Sequence, residues 1–355
     1  MAIYGRVAAF CDRFGLKMPI LLAPMAGVGA PDLSAAVIRA GGMGALGALL
    51  MKPDEIAEWA ATVRSKATGP FQLNLWVPDP PPQRDPGREA EVRRFLGGWG
   101  PEVPPEAGDA TPPDFAAQCE ALLEAQPTAI SSVMGLFPPE LVDRAKTKGI
   151  SWFAVVSTVR EAKAAEAAGA DVIIAQGSEA GGHRAAFDGT RAEAELVGLV
   201  SLVPAVVDAV SVPVVATGGI ADGRGVAAAL ALGASAAQIG TALLRSPEAG
   251  IPRAWADAIG ATVPEDTRIS RVFSGRPGRS VATAYVLAAT APDAPPPAPY
   301  PVQRGLTAAM RGQAAKSGSL DGMQAWSGQS GGLGRPGPAE DVVMRTWAEA
   351  QAILA

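Results

Sequence analysis

Eight short apolar runs recur along the first two thirds of the 355-residue chain, usually with a helical pattern between them, and they limit the possible folds most strongly. Near-continuous apolar runs are typical of strands buried on both faces, as in parallel sheets covered by helices. The eight predicted strands are residues 19–23, 44–50, 71–77, 128–134, 152–157, 171–176, 212–217 and 236–239. This count predicts an α/β fold, the TIM (β/α)8 barrel, with a doubly wound sheet as the alternative.

The segments between the strands complete this pattern. Residues 78–113 are rich in Pro, Gly and charge, so we expect a long loop outside the core, with room for a short helix at 88–96. Asp32 is the predicted cap of the first helix that follows a strand. The predicted helices are residues 32–40, 53–65, 114–125, 139–148, 160–168, 196–210 and 223–232.

The periodicity weakens after Leu244, which indicates a change of architecture. We expect the barrel to occupy residues 1–246 and a smaller cap domain at 247–335 to lie over the barrel mouth. Residues 336–355 would then return to the barrel through a closing helix at about 339–354.

Composition excludes several classes of protein. Hydrophobic residues make up 48% of the chain and charged residues 18%, which allows a large core. The net charge of -5 argues against nucleic acid or an anionic membrane as a partner. Cys11 and Cys119 form no metal-binding or disulfide pattern, so we expect no metal and a reducing, cytoplasmic setting. No apolar run reaches the about 18 residues of a membrane span, and residues 1–14 lack a signal-peptide pattern.

The candidate site centres on residues 175–184, where an apolar strand leads into a glycine-rich turn that holds His183, the only histidine. Glycines allow backbone N–H groups to approach a ligand closely. Histidine can accept and return a proton near neutral pH. The alternative is a loop histidine without a role.

Other unusual residues also fall at the predicted strand ends, where the active site of a barrel lies. Gly218 and Gly219 follow the seventh strand, and Gly240 and Thr241 follow the eighth. Such glycines suit a phosphate group, because backbone amides can close on it. No Gly-x-Gly-x-x-Gly follows the first strand, so a Rossmann dinucleotide site is not supported.

These residues resemble the nitronate monooxygenase family, class I. The resemblance rests on Gln-Gly-x-Glu-Ala-Gly-Gly-His-Arg at 176–184, Gly-Gly-Ile-Ala-Asp-Gly-Arg-Gly at 218–225 and Gln-Ile-Gly-Thr at 238–241. Ala-Pro-Met-Ala at 23–26, Asn-Leu-Trp-Val-Pro at 74–78 and Trp-Ser-Gly-Gln-Ser-Gly-Gly-Leu at 326–333 add to it. Several motifs are shared with flavin-dependent enoyl-acyl-carrier-protein reductases.

The resemblance implies one non-covalent FMN on a TIM barrel. Asn74 and Gln176 would hydrogen-bond the flavin, and His183 would face the substrate. The backbone against the flavin ring would come from Ala23, Pro24, Met25 and Ala26. The ring edge, ribityl chain and phosphate would be held by Gly181, Gly182, Gly218, Gly219, Gln238, Gly240 and Thr241.

The implied reaction is the oxidation of alkyl nitronates, such as propionate 3-nitronate, with dioxygen. His183 would act as base only for a neutral nitroalkane, because a nitronate has already lost its α-proton. One alternative is an NAD(P)H-dependent reductase of enoyl thioesters or quinones on the same barrel. The other is a flavin-binding protein without turnover.

The chain departs from the family pattern in the expected substrate wall. Val133 stands where the family segment carries a histidine. Tyr300 is kept, but Arg304 stands where a second tyrosine is expected. Arg304 is either a solvated surface residue or a clamp for a carboxylate.

Overall fold

The computed structural model describes residues 2–355, and Met1 lies outside the described residues. Eight parallel strands form a barrel, and three further strands form a small antiparallel sheet. The strands are β1 (Ile20–Leu22), β2 (Gly44–Gly47), β3 (Phe71–Trp76), β4 (Ala129–Val133), β5 (Ser151–Val156), β6 (Val172–Gln176), β7 (Gly182–His183), β8 (Val214–Thr217), β9 (Ala236–Ile239), β10 (Thr267–Ser270) and β11 (Gly278–Val281).

The order of the barrel strands follows the chain, with β2 and β9 on either side of β1. β1 and β2 meet at a parallel bridge between Leu21 and Met43, which closes the ring. The Leu22 amide donates to the Met43 oxygen at 2.9 Å there. The predicted TIM barrel is confirmed, and the doubly wound sheet is wrong, because its strands would reverse order at a switch point.

Helices follow most barrel strands, as predicted. The α-helices of residues 2–355 are α1 (Ile3–Phe14), α2 (Pro31–Ala40), α3 (Pro53–Lys66), α4 (Pro86–Leu96), α5 (Phe115–Glu124), α6 (Pro139–Thr147), α7 (Val159–Ala167), α8 (Leu199–Val207), α9 (Gly223–Ala231), α10 (Arg253–Ala261), α11 (Ala284–Ala289), α12 (Val302–Leu306), α13 (Ala308–Ser317) and α14 (Ala339–Leu354). None of these helices is long and apolar enough to cross a membrane.

Local chemistry explains where several helices begin. Asp114 Oδ1 accepts a bond from the Ala117 amide at 2.7 Å and so caps α5. Asp32 is not the cap of α2, which corrects the sequence prediction. Pro31 occupies the first helical turn, so the helix starts earlier, and Asp32 instead pairs with Lys66 at 2.8 Å.

Residues 247–335, called the cap below, contribute to a second hydrophobic core built on Phe273, Tyr285 and Leu306. Val92 and Leu96 of α4 are buried in the same core, together with Val103. The expectation that residues 78–113 lie outside the core is therefore wrong. Because Val92 and Leu96 are four residues apart, they share one helix face and bury it against the cap.

The end of the chain returns to the barrel. α14 packs against α9 and α2, and Arg39 of α2 pairs with Glu340 at 3.1 Å. The boundaries of the barrel, cap and closing segment at 246/247 and 335/336 stay predictions.

Candidate active site

A cavity of about 210 Å³ lies at the carboxyl ends of the barrel strands. This is the rim on which barrel enzymes carry their active sites. Of the residues singled out in the sequence, those that line the cavity are Ala23, Pro24, Met25, Ala26, Asn74, Val133, Gln176, Gly181, Gly182, His183, Gly218, Gly219, Gln238, Gly240, Thr241 and Arg304. Tyr300 is not in the lining; it packs on Trp76, which is, with ring centroids 5.4 Å apart.

The turn after β8 presents bare backbone to the cavity. Gly218 and Gly219 have φ angles of +107° and +68°, which residues with a side chain rarely adopt. No hydrogen bond occupies the amide groups of either glycine within residues 2–355. Both amides are thus available to an acceptor such as a phosphate oxygen.

A segment from the cap, residues 326–331, lines the cavity beside Thr241 and is called the strap below. The Gly328 amide donates to Thr241 Oγ1 at 3.0 Å, and the Gln329 amide donates to the Glu179 oxygen at 3.0 Å. A Cβ atom on Gly181 would fall 2.5 Å from the Gly328 nitrogen. The strap therefore approaches the glycine-rich turn as closely as a glycine allows.

Two amide side chains in the lining differ in what they leave free. Asn74 Nδ2 donates to the oxygen and to Oγ of Ser131, at 3.1 and 3.0 Å, so Oδ1 remains an acceptor for a ligand. Both polar atoms of the Gln176 side chain are hydrogen-bonded. Nε2 donates to the His183 oxygen at 3.1 Å, and Oε1 accepts from the Ala185 amide at 2.9 Å. Gln176 thus holds the glycine-rich turn in place.

His183 belongs to a short strand that the sequence did not predict. β7 pairs with β11 of the cap, with His183 opposite Gly278. The ring lies edge-on to Trp76 and Trp326, with centroids 4.6 and 4.8 Å away. Its Nε2 is 2.7 Å from Ser274 Oγ, so a hydroxyl from the cap anchors the ring.

Burial, and to a smaller extent the positive charges of Arg276, Arg304 and Arg311, together lower the pKa of His183 to about 3. His183 is therefore neutral at ordinary pH. Arg276 has a carboxylate partner, since its Nε lies 2.8 Å from Asp79 Oδ2. Within residues 2–355, the hydrogen bonds of the Arg311 side chain go to neutral acceptors: Thr307, Gln324 and the Arg304 oxygen.

Arg304 lines the cavity and is only partly exposed. Burial lowers the pKa of its guanidinium, and no acidic side chain within residues 2–355 pairs with it. This position does not fit the solvated-surface alternative. An unpaired cation inside a cavity instead favours an anionic ligand.

The remaining substrate-wall residue, Val133, is buried at the end of β4 and presents an apolar surface to the cavity. Its neighbour Met134 has a φ angle of +66°, an uncommon backbone conformation for a residue with a side chain. The described residues bring together no group of three potential metal ligands.

The low pKa of His183 predicts how stability depends on pH. Unfolding returns the pKa from about 3 to its ordinary 6.5, so the unfolded chain takes up a proton first as the pH falls. We expect this group to remove about 2 kcal/mol of unfolding free energy between about pH 7 and about pH 5. Urea unfolding of the wild type and His183→Asn at both pH values measures it; the same pH dependence in the two proteins would contradict the lowered pKa.

Comparison with known proteins agrees with this geometry. The family model for nitronate monooxygenase matches residues 8–349. The chain belongs to the nitronate monooxygenase family. The resemblance found in the motifs is thereby confirmed. The family is a group of flavin-dependent oxidoreductases.

Named members of the nitronate monooxygenase family align along most of their length. The chain is 36% identical to a nitronate monooxygenase of Pseudomonas aeruginosa over 95% of this chain and 98% of that one. It is 35% identical to a probable nitronate monooxygenase of Staphylococcus saprophyticus over 89% of each.

Two solved structures are similar to this chain over nearly its whole length. A nitroalkane oxidase from Streptomyces ansochromogenes superposes with a TM-score of 0.86 at 36% identity, over 98% of this chain and 100% of that one. FabK from Thermotoga maritima gives 0.76 at 27% identity, over 98% of this chain and 96% of that one. This chain is thus more similar to the nitroalkane oxidase than to FabK.

Proposed function

We propose that the protein oxidises alkyl nitronates, such as propionate 3-nitronate, with dioxygen, using one non-covalently bound FMN. The observation that carries this proposal is Arg304, an unpaired cation in the cavity, close to a histidine that is kept neutral. A nitronate is an anion, so its charge would be stabilised by this cation. Membership of the nitronate monooxygenase family supports the same reaction.

The cavity suits FMN in its backbone and its polar groups. The free amides of Gly218 and Gly219 and the hydroxyl of Thr241 would hold the phosphate. Asn74 Oδ1 would accept a hydrogen bond from the flavin. The remaining contacts would come from Ala23, Pro24, Met25, Ala26, Gln176, Gly181, Gly182, Gln238 and Gly240. Bound FMN would supply electron transfer between the substrate and dioxygen.

The state of His183 favours the nitronate over the neutral nitroalkane. A general base works best when its pKa lies near the working pH, and a pKa of about 3 makes His183 a weak base. A nitronate needs no base, because its α-proton is already gone. Neutral His183, held by Ser274 and packed against Trp76 and Trp326, would then position the substrate.

The remaining parts of the proposal concern partners and setting. The small-molecule partners would be a nitronate or nitroalkane and dioxygen. Cys11 and Cys119 are both free and buried, which supports a reducing, cytoplasmic setting.

Oxygen consumption tests the proposed reaction. FMN-loaded protein is expected to consume dioxygen on addition of propionate 3-nitronate and not on addition of NADH alone. NADH-driven turnover without a nitronate would favour the NAD(P)H-dependent reductase instead. A flavin that is inert to both compounds would favour a binding protein without turnover.

Arg304→Gln is expected to raise KM for propionate 3-nitronate by about tenfold or more, with a smaller change in kcat. A hydrogen bond to a charged group is worth about 1.5–3 kcal/mol, and the variant keeps a polar amide but removes the charge. Steady-state kinetics measures it, with Arg253→Gln, whose side chain is 93% exposed, as the matched control.

A nitronate without a carboxylate separates the two anionic groups that Arg304 could hold. An equal rise in KM for ethyl nitronate would place the nitronate group at Arg304. A rise confined to propionate 3-nitronate would place the carboxylate there. An unchanged KM for both compounds would contradict the anion-binding role.

A further inference from the structure

Gln72 of β3 is fully buried in the barrel, beneath the cavity, and does not itself line the cavity. Its Nε2 donates to Gln238 Oε1 at 3.0 Å and lies 3.4 Å from the Leu22 oxygen. β3 and β9 are separated by β1 and β2 around the barrel, so the bond to Gln238 spans the barrel interior.

The chemistry of the partners fixes both amide orientations. A backbone oxygen can only accept, so the Gln72 atom that faces Leu22 has to be the nitrogen. That nitrogen also faces Gln238, and the Gln238 atom that meets it therefore has to be the oxygen. Gln238 is thus held with its amide oxygen directed into the barrel.

The other end of the Gln238 amide is free. Gln238 lines the cavity, and its Nε2 neither has a hydrogen-bond partner within residues 2–355 nor is enclosed by protein. Gln72 Oε1, in contrast, is buried without a hydrogen-bond partner, which is unfavourable for a polar atom. In this arrangement Gln72 Oε1 has no donor, while Gln238 Nε2, which can donate, faces the cavity.

We propose that Gln72 is a positioning residue that holds the Gln238 amide with its nitrogen toward the cavity, where it donates a hydrogen bond to FMN. This inference rests on the FMN site of the proposed function. Without Gln72, the Gln238 amide can rotate and present its oxygen, which cannot donate. Gln72 therefore acts on the cofactor only through Gln238.

A double-mutant cycle on FMN affinity tests whether Gln72 acts on the cofactor through Gln238. FMN is removed from the full-length protein and titrated back, with quenching of flavin fluorescence as the readout. Gln72→Met keeps the length of the side chain and removes the amide. We expect Gln72→Met and Gln238→Met each to weaken FMN binding by about three- to tenfold, as for one lost hydrogen bond.

The double variant gives the decisive comparison. We expect it to bind FMN no more weakly than Gln238→Met alone. An undiminished further loss in the double variant would mean that Gln72 only supports the barrel, and would overturn the proposal. An unchanged affinity in Gln72→Met would overturn it as well. Gln72→Leu is the second variant should Gln72→Met fail to fold.

Gln303→Met is the matched control, because Gln303 is also a buried glutamine but lies in the cap and outside the cavity lining. It is expected to leave FMN affinity unchanged while lowering thermal stability. A wild-type protein that binds no FMN would refute the FMN site itself. FMN binding that is unchanged by Gln72→Met would refute only the positioning role of Gln72.

Discussion

Gly181→Val is expected to reduce FMN affinity by at least about 100-fold and to yield a protein that purifies almost without flavin. The new Cβ would lie 2.5 Å from the Gly328 nitrogen and 2.6 Å from the Ser327 carbonyl carbon, and neither backbone atom can yield without moving the strap. Overpacking of this kind costs about 1–3 kcal/mol, and displacing the strap also disturbs Thr241. Absorbance of the purified protein and chromatography of heat-released cofactor measure the loss.

The other glycines of the cavity give a graded series. Gly218→Val is expected to have a similar effect, because a φ of +107° is strained for valine and Ala180 lies 3.0 Å from the added Cβ. Gly240→Val is expected to lose less, since its nearest neighbours are side-chain atoms at 3.2 and 3.5 Å. Gly312→Val, in open space on α13, is the control. Normal flavin content in Gly181→Val would contradict the proposed role of these glycines in holding FMN.

The nitronate is expected to be oxidised at least about 100-fold faster than the neutral form of the same nitroalkane. A pKa of about 3 places His183 several units below the working pH, and each unit corresponds to about 1.4 kcal/mol against proton uptake. Oxygen consumption with freshly dissolved neutral nitroalkane and with pre-formed nitronate measures the ratio.

His183→Asn tests the role behind that ratio. If His183 positions the substrate, both forms should lose turnover by a similar factor. A loss of about 10²- to 10⁴-fold confined to the neutral nitroalkane would show that His183 is the α-proton base, as the family resemblance implies. Ser274→Ala, which removes the hydroxyl that anchors the ring, is expected to lose activity in the same direction but less.

The barrel was predictable because its strands carry their signal locally. Each strand is an apolar run buried on both faces, and the carboxyl ends of eight parallel strands necessarily share one rim. Residues as distant as Asn74, Gly218 and Thr241 could therefore be assigned to one site from their positions at strand ends. The predicted bounds of α14 are confirmed, and Pro338 at its N-cap marks where the helix begins.

The cap contacts were not predictable, because they depend on packing between distant segments. Ser274 has no sequence signal that links it to His183, 91 residues away. Arg304 lies next to a Pro-rich segment, which is compatible with a solvated side chain. The structure instead places it on α12, where it lines the cavity. Trp326, in contrast, carries a sequence signal, since it begins a glycine-rich segment like those at the strand ends.

Anaerobic reduction of the flavin tests the central claim most directly. Purified holoprotein is mixed without oxygen with propionate 3-nitronate and, separately, with NADH, and the visible flavin absorbance is followed. We expect the nitronate alone to bleach the flavin and the absorbance to return when air is admitted. Bleaching by NADH and not by the nitronate would contradict the proposal that this cavity serves nitronate oxidation.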